Sequence, residues 1–402
     1  MSEALYGKYM SMKDRTLRKN AYSEICSIYK KYINTLSELY LSRVKYSCIT
    51  AKLRGYKSSL DSATNKDDSN LKVYETLLNS VNKNMDLVHE HLNLKKKMLN
   101  LDEMHLYDIY YNPLQENDEN IEYEEAKKLV LKALNVMGDE YVQKVSYGFE
   151  HNWVDVYEKE NKMTGGYNMG VYGVHPFILL NYMNTMRDAS TIAHEFGHAM
   201  HSYYADSKQN YLNSSYTIMV AEVASTVNEI LFANYLINNE KDINKKKVLI
   251  NEQLDLIRST LIVQTQFSEF EKNVHKKIES GEALNSEALS NIYQSLLEKY
   301  YGDTTVIDEN SKYTWSRIPH FYRCFYVYKY ATGITAAIVI ANKILSGENG
   351  YVEKYLNMLS LGGAKDSLSL LKMVDVDLEK EETYEQAFKY FEKNLKELKS
   401  LI

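Results

Sequence analysis

The chain has 402 residues, of which 45% are hydrophobic and 25% are charged. These fractions are typical of soluble globular proteins, and the length suits one large domain or two closely joined lobes. The 48 basic and 54 acidic side chains give a formal net charge of -6 and are scattered along the chain. No continuous positive field is available to bind phosphates, so we expect no nucleic acid partner.

The three cysteines of the chain are widely spaced and include no CxxC pair. An odd number in this arrangement argues against disulfide bonds and against a thiolate metal cluster, and it favours a reducing compartment. The N-terminal residues contain no apolar run of signal-peptide length, and no window approaches the roughly 18 apolar residues of a membrane-spanning helix. We therefore expect a cytoplasmic protein without a membrane partner.

Helix breakers are rare, since the sequence contains three prolines and 16 glycines. Apolar residues recur at three- and four-residue spacing over residues 11–54 and 71–99, which predicts helices. The polar stretch 61–70, DSATNKDDSN, predicts a break between them. Nearly every segment from residue 188 onward again has helical spacing. The expected fold is therefore mainly α, with many helices.

The helical pattern lapses between residues 106 and 123, where Pro113 precedes an acidic and polar cluster. This composition is typical of a loop that joins two lobes. We therefore expect an N-terminal helical region of residues 1–110, closely packed against a second helical region of residues 111–402.

One segment departs from helical spacing after a predicted helix over residues 123–147. In residues 164–182, TGGYNMGVYGVHPFILLNY, glycines alternate with aromatic and branched residues. This pattern predicts a small irregular hairpin or an edge strand, which we expect beside the helix described next. Its edge over residues 166–174 could pair with a peptide backbone, or the segment could be a surface hairpin without a function.

Residues 188–206 read DASTIAHEFGHAMHSYYAD. Three good N-cap residues indicate that a helix starts here, namely Asp188, Ser190 and Thr191. At about 100° per residue an apolar seam follows, formed by Ile192, Phe196, Ala199 and Tyr203. Three histidines lie on the opposite side: His194, His198 and His201.

His194 and His198 are four residues apart and therefore lie one above the other on a helix. Their imidazole nitrogens can bind one zinc ion, while Glu195 is turned aside and can reach a zinc-bound water. Gly197 removes a side chain between the two histidines. A catalytic zinc takes three protein ligands and leaves the fourth position for water, so a third ligand is required.

His201 shares the histidine face but lies seven residues from His194, about 10 Å along the helix axis. This distance is too long for one tetrahedral ion, and the chain lacks the glycine that breaks the helix in the HExxHxxGxxH pattern. We therefore assign His201 to a cleft wall or to a role outside the ligand set.

A second helix supplies a better third ligand, in the stretch YTIMVAEVASTVNEILF at residues 216–232. Its apolar stripe is formed by Val220, Val223, Val227, Ile230 and Leu231. Glu222 and Glu229 share another face within about 20°. We predict Glu222 as the third ligand and Glu229 as a carboxylate that accepts the distal N–H of a ligand histidine.

Three separated motifs occur in a specific order. HEFGHAMH is followed by AEVASTVNE at residues 221–229 and by RIPHFYRCFYVYKYATG at residues 317–333. Together they resemble the oligoendopeptidase F branch of the thimet-oligopeptidase family of zinc metallopeptidases. The resemblance extends along the whole chain, and it implies a zinc-dependent endopeptidase that acts on short unfolded oligopeptides.

The resemblance also implies roles for the matched residues. His194, His198 and Glu222 would bind one Zn²⁺, and Glu195 would act as the general base. The histidine of the C-terminal motif, His320, would face the substrate and stabilise the oxyanion together with one or more tyrosines of the same motif.

The C-terminal motif offers four candidate tyrosines. On a helix Tyr322, Tyr326 and Tyr330 would share a face, whereas on a strand Tyr326, Tyr328 and Tyr330 would do so. The spacing does not choose between these arrangements. We predict Tyr330 and Tyr328 as the tyrosines that act with His320.

Family members usually carry a further helical lobe ahead of the matched region, and we expect this lobe to be absent here. Two alternatives follow. The chain could be a compact endopeptidase with a more open cleft, or a truncated and catalytically weak zinc-binding protein that serves as a binding or assembly module. The complete set of candidate catalytic residues favours the first, while a large exposed apolar area on the N-terminal helices would favour the second.

Overall fold

The computed structural model describes residues 2–114 and 120–402. Helices dominate these residues, as the sequence predicts, because few glycines and prolines interrupt the apolar periodicity. The α-helices of the described residues are α1 (Glu3–Met10), α2 (Arg15–Lys31), α3 (Ile33–Leu53), α4 (Ser59–Lys66), α5 (Leu71–Lys83), α6 (Met85–Met98), α7 (Tyr123–Ala133), α8 (Asp139–Glu150), α9 (Met186–Lys208), α10 (Tyr211–Ser214), α11 (Ile218–Asn239), α12 (Ile243–Ile257), α13 (Val263–Glu279), α14 (Ser286–Tyr301), α15 (Tyr328–Leu345), α16 (Tyr351–Ser360), α17 (Ser367–Met373) and α18 (Glu381–Leu401).

The remaining regular elements are short. A π-helical turn, Arg258–Ile262, joins α12 to α13, and the 3₁₀ turns are Leu106–Asp108, Leu134–Met137, Gly302–Thr304, Glu309–Arg317 and Pro319–Arg323. One small sheet contains β1 (Val154–Asp155), β2 (Tyr167–Met169) and β3 (Phe177–Leu179) in the order β1-β3-β2. β3 pairs in parallel with β1 and antiparallel with β2, with Asn168 opposite Ile178. The predicted hairpin is therefore present, and β2 is an edge strand.

The predicted break over residues 61–70 is wrong for its first part. A short helix, α4, occupies this part and continues to Lys66. It starts at Ser59, where the Ser58 hydroxyl accepts a hydrogen bond from the Asp61 backbone N–H at 3.0 Å and caps the first turn. The break is confined to residues 67–70.

Two other helix boundaries also differ from the prediction. The helix expected over 123–147 ends at Ala133, and Gly138 restarts it with a φ of 88°, which glycine adopts without strain. The helix that contains HEFGH begins earlier than expected, because Thr185 is its N-cap. Thr185 accepts a hydrogen bond from the backbone of Asp188, whose side chain accepts one from the backbone of Thr185 in return.

The chain divides into two compact units. Unit 1 consists of Met1–Gln115, Leu254–Ala331 and Leu395–Ile402, and unit 2 consists of Glu116–Gln253 and Thr332–Asn394. The hydrophobic pattern along a sequence does not show that a C-terminal segment packs with an N-terminal one. The sequence analysis therefore predicts a single boundary, whereas each unit is built from separate segments. The division into residues 1–110 and 111–402 stays a prediction. Residues 115–119 of the loop expected over 106–123 lie outside the described residues.

Each unit has a central helix. In unit 1, α13 packs against α3, α5 and α14, and in unit 2, α9 packs against α7, α11 and α16 and against β2 and β3. None of the helices within the described residues combines the length and the apolar character needed to cross a membrane.

Candidate metal centre

The helix α9 buries one side in unit 2 and leaves the other side partly exposed. Three residues of the predicted seam are fully buried: Ile192, Phe196 and Ala199. His194 and His198 lie on the other side and are partly exposed. The apolar seam therefore packs the helix into the core and leaves the two histidines available as ligands.

Gly197 lets α9 and α11 approach each other. A Cβ atom at this position would lie 2.5 Å from the Cα atom of Ser225 and 2.6 Å from the carbonyl oxygen of Ala224. Backbone atoms cannot move aside as a flexible side chain can, so a larger residue does not fit. The sequence reading placed Gly197 between the histidines, whereas in the structure it sets the distance between the two helices that carry the candidate ligands.

Asn228 joins the same two helices, and the sequence analysis missed it. Its side chain is fully buried. The Nδ2 atom donates a hydrogen bond to the carbonyl oxygen of Ala193 at 3.1 Å, and Oδ1 accepts one from the Tyr141 hydroxyl at 3.1 Å. Asn228 could have been identified from the sequence as an amide side chain next to an apolar stripe. Such an amide is buried with the stripe and requires hydrogen-bond partners there.

His194, His198 and Glu222 form a group that could hold one metal ion. One ligand atom from each lies within 4.8 Å of the others. The two imidazole rings have centroids 4.8 Å apart and planes at 82°. The ligands of a tetrahedral ion with bonds of about 2.1 Å lie roughly 3.4 Å apart, so modest side-chain rotations would close the set. Residues 2–114 and 120–402 contain no second group of three histidine, cysteine or acidic side chains this close together.

Each histidine of this group has a partner beyond the ligand set. Nδ1 of His194 lies 3.3 Å from Oε2 of Glu229, and the ring of His198 is hydrogen-bonded to the backbone of Ala221. Burial lowers the pKa of His194, but the hydrogen bond and the charge of Glu229 outweigh burial and raise this pKa to about 9. For His198, burial and the charge of His194 lower the pKa to about 3. Such partners orient an imidazole and leave its other nitrogen for a metal.

Glu195 lies beside this group and is 4% exposed. Among the described residues its Oε2 atom has no hydrogen-bond partner. Burial raises the pKa of its carboxyl to about 7. A Cβ atom on Gly166, just before β2, would lie 3.2 Å from Oε1 of Glu195 and 2.9 Å from Cγ2 of Thr191. A carboxyl that is half protonated near neutral pH is suited to accepting and donating a proton.

His201 lies outside the ligand group, as its distance from His194 along the helix predicts. Its side chain is buried, and its ring stacks on the ring of Tyr216 with centroids 3.6 Å apart and planes at 8°. This contact gives His201 a packing role in the core of unit 2.

In unit 1, three rings of the C-terminal motif meet. His320 stacks on Tyr326 with centroids 6.0 Å apart and planes at 15°. Tyr330 is edge-on to both, with centroids 6.0 Å from His320 and 5.5 Å from Tyr326. His320 is exposed, and the two tyrosines are partly exposed.

The other two candidate tyrosines lie apart from this cluster. Tyr322 packs edge-on against Tyr40 with centroids 6.3 Å apart. Tyr328 is fully buried, and its hydroxyl lies 3.4 Å from a carboxylate oxygen of Asp67. Spacing could not separate the four tyrosines, because the chain turns between the 3₁₀ segment and α15.

The sequence matches the family described as Peptidase family M3 over residues 8–390. It is 40% identical over 394 residues to oligopeptidase PepF of Bacillus subtilis, which covers 98% of this chain and 59% of that protein. It is 36% identical over 403 residues to the group B oligopeptidase PepB of Streptococcus agalactiae, which covers 100% of this chain and 67% of that protein. The chain thus spans 59% to 67% of the length of these relatives.

Solved structures agree with the sequence matches. Oligoendopeptidase-F from Enterococcus faecium has a TM-score of 0.82 and 32% identity, covering 100% of this chain and 66% of that chain. The structure of a Chlamydophila abortus protein has a TM-score of 0.95 and 38% identity, covering 100% of this chain and 67% of that chain. The predicted resemblance to the oligoendopeptidase F branch is confirmed, and the chain belongs to peptidase family M3.

Proposed function

We propose that this chain is a zinc-dependent endopeptidase that hydrolyses peptide bonds in short unfolded oligopeptides. The observation that carries the proposal is the group of His194, His198 and Glu222 with Glu195 buried beside it. The names of the relatives, oligopeptidase and oligoendopeptidase F, support peptide substrates. We place the protein in the cytoplasm because its three cysteines are free.

The residues of the group fit one zinc ion by their donor chemistry. Two imidazoles and one carboxylate are a ligand set that leaves a fourth position open. When bound, zinc would polarise the scissile carbonyl and lower the pKa of a water molecule towards about 7. Glu195 accepts the proton of that water and later donates it to the leaving amine. Its burial supports this role, because a carboxylate whose pKa is raised to about 7 is a stronger base than usual and can both accept and donate a proton near neutral pH.

We assign stabilisation of the oxyanion to His320 and Tyr330, by resemblance to the family. Each carries a polar hydrogen that can be donated to a developing negative charge, and one such donor is typically worth about 3 kcal/mol. Their rings adjoin each other and that of Tyr326. Tyr328, which the sequence pairs with Tyr330 in this role, is the weaker candidate because its hydroxyl is buried beside Asp67.

The edge of β2 is our proposed contact for the peptide backbone. Among the described residues, β2 has a strand partner on the side of β3 alone. A substrate that pairs with the other side would be held by main-chain hydrogen bonds, which depend little on side chains. This mode of binding suits unfolded peptides of varied sequence.

The alternative function, a binding module, has one observation in its favour. Four apolar side chains on α3 are exposed by more than half: Leu39 at 55%, Tyr46 at 62%, Ile49 at 59% and Leu53 at 83%. Their spacing places them along one face of the helix. A partner on this face does not exclude peptide cleavage, so the complete ligand and base set still favours the endopeptidase.

Quenched fluorescent peptides of mixed length test the proposal. The purified chain is freed of metal with a chelator, and cleavage is measured before and after zinc is added back. We expect cleavage at internal bonds that requires the added zinc and that is absent from the His198→Ala variant. A folded chain that binds one zinc and cleaves none of the peptides would contradict the endopeptidase and favour the binding module.

A further inference from the structure

Phe325 has an unusual backbone conformation for its residue type. Its φ of 59° lies in the left-handed region. Within the described residues, seven residues other than glycine have a positive φ, and all except Phe325 are asparagine or aspartate, which tolerate this region. A bulky side chain remains in such a conformation where the surrounding structure holds it there.

A buried carboxyl holds the backbone of Phe325. Oε1 of Glu271, on α13, accepts a hydrogen bond from the Phe325 backbone N–H at 2.7 Å. Glu271 is fully buried, and its Oε2 atom has no partner among the described residues. Burial is unfavourable for an ionised carboxyl and raises its pKa to about 8. A leucine would fill similar space without that cost, so the particular contribution of Glu271 is the acceptor oxygen.

The ring of Phe325 is anchored in the same core. It is 1% exposed. Its centroid lies 4.3 Å from that of His275, and it meets Tyr74 edge-on with centroids 5.9 Å apart. Nδ1 of His275 lies 2.8 Å from the Ser59 hydroxyl, so this neighbour is itself held. Backbone and ring together fix the direction in which the chain leaves Phe325.

This turn in the chain brings the two ends of the C-terminal motif together. His320 precedes the turn and Tyr330 follows it, yet their rings are in contact. We propose that Glu271 is a positioning residue, whose carboxyl holds Phe325 in the left-handed conformation that places His320 against Tyr326 and Tyr330. The inference rests on the proposed function, in which His320 and Tyr330 contact the substrate.

Three substitutions of Glu271 distinguish the effect of its acceptor oxygen from the effect of its side-chain volume. Glu271→Gln keeps an acceptor oxygen, and Glu271→Leu removes it at similar volume. Glu271→Met also removes it, with a flexible side chain that adapts to the site if the leucine variant does not fold. Thr265→Val is the matched control, because Thr265 is fully buried on the same helix and donates to the carbonyl oxygen of Leu261 at 2.7 Å.

The first measurement is an NMR spectrum of the whole chain with isotope-labelled histidine rings, recorded without peptide. The signal of His320 is identified by its loss in His320→Gln. We expect this signal to keep its wild-type position in Glu271→Gln and Thr265→Val, and to move in the leucine and methionine variants. An unmoved signal in a folded leucine or methionine variant overturns the proposal. A signal that moves equally in the glutamine variant also overturns it.

The wild-type chain provides a test that needs no variant. We expect the backbone amide of Phe325 to exchange its hydrogen slowly with solvent, because it is buried and bonded to Glu271. Rapid exchange in the folded chain overturns the proposal even if none of the substituted chains folds.

Peptide cleavage by the same samples completes the test. We expect kcat to fall by about tenfold in the leucine and methionine variants while KM changes by less than about twofold, and Glu271→Gln to stay within about threefold of wild type. A fall in kcat without a shift of the His320 signal overturns the positioning role. If the wild-type chain cleaves nothing, the proposed function fails, and the NMR spectra still decide whether Glu271 positions His320.

Discussion

The two helices that carry the candidate metal ligands and the C-terminal motif hold their candidate site residues by different means. In α9, His194 and His198 are one helical turn apart on a regular helix, and Gly197 brings that helix against α11. In the C-terminal motif, the rings converge because the chain turns at Phe325. One arrangement depends on helical periodicity and the other on a single strained residue.

This difference predicts how substitutions should affect each region. The ligand helices are stabilised by apolar seams and by close backbone contact, so substitutions there should act on the metal, on proton transfer or on global stability. The C-terminal motif depends on one buried acceptor, Glu271, so substitutions there should alter geometry while the metal stays bound.

Glu195→Gln should lower turnover by at least about a hundredfold, because the amide cannot accept the proton of the attacking water. Its zinc content should stay equal to that of wild type, since Glu195 is not in the ligand group. Peptide kinetics and metal analysis on the same samples check both points. Unchanged turnover would rule out Glu195 as the base.

Tyr330→Phe should lower kcat by about a hundredfold, the loss expected for one oxyanion donor. Tyr328→Phe should have a much smaller effect on kcat and a measurable effect on stability, because the Tyr328 hydroxyl is buried beside Asp67. Peptide kinetics and thermal unfolding of both variants compare the two tyrosines. A loss of kcat in Tyr328→Phe as large as that in Tyr330→Phe would support the sequence prediction that the two tyrosines act together.

Glu229→Gln should weaken zinc binding by about 10- to 100-fold, because His194 loses the charged partner of its Nδ1 atom. Competition with a chromophoric chelator measures this affinity. Glu150→Gln, on the exposed side of α8, is the control and should bind zinc as wild type does. Equal affinity in all three proteins would show that Glu229 does not act on the ligand set.

Gly197→Ala should lower the free energy of unfolding by about 1–3 kcal/mol or more, because its Cβ would overlap the backbone of α11. Gly333→Ala is the matched control, since its Cβ would lie 3.8 Å from the Cβ of Glu222, an ordinary contact. Alanine is the better helix former, so this control should be neutral or stabilised by up to about 1 kcal/mol. Urea unfolding of the two variants is the measurement, and equal stabilities would argue against close packing at Gly197.

The sequence predicts that the candidate ligands His194, His198 and Glu222 come together, because the two helices that carry them are regular. The apolar seam of α9 and the apolar stripe of α11 recur at helical spacing. The face of α9 outside its seam carries His194 and His198, and the face of α11 outside its stripe carries Glu222. Asn228 was missed because its partners come from two other helices. The sequence analysis also missed why position 197 is a glycine, because the close approach that Gly197 permits is to the backbone of another helix, α11.

The C-terminal motif could not be predicted to the same depth. Glu271 and Phe325 are 54 residues apart, and nothing local marks their hydrogen bond. The left-handed φ of Phe325 contradicts the preference of its own residue type, so propensity points to the wrong conformation. The choice among the four tyrosines depends on that turn, which is why spacing left it open.

The zinc content of the purified chain is the most direct test of the ligand set proposed for His194, His198 and Glu222. We would measure zinc per chain, after dialysis against a trace of metal, in the wild type and in His194→Ala, His198→Ala and Glu222→Gln, with Glu195→Gln as the control. We expect one zinc in the wild type and in the control, and a large loss of zinc in each of the other three variants. Full zinc content in any of those three variants would contradict the proposed ligand set.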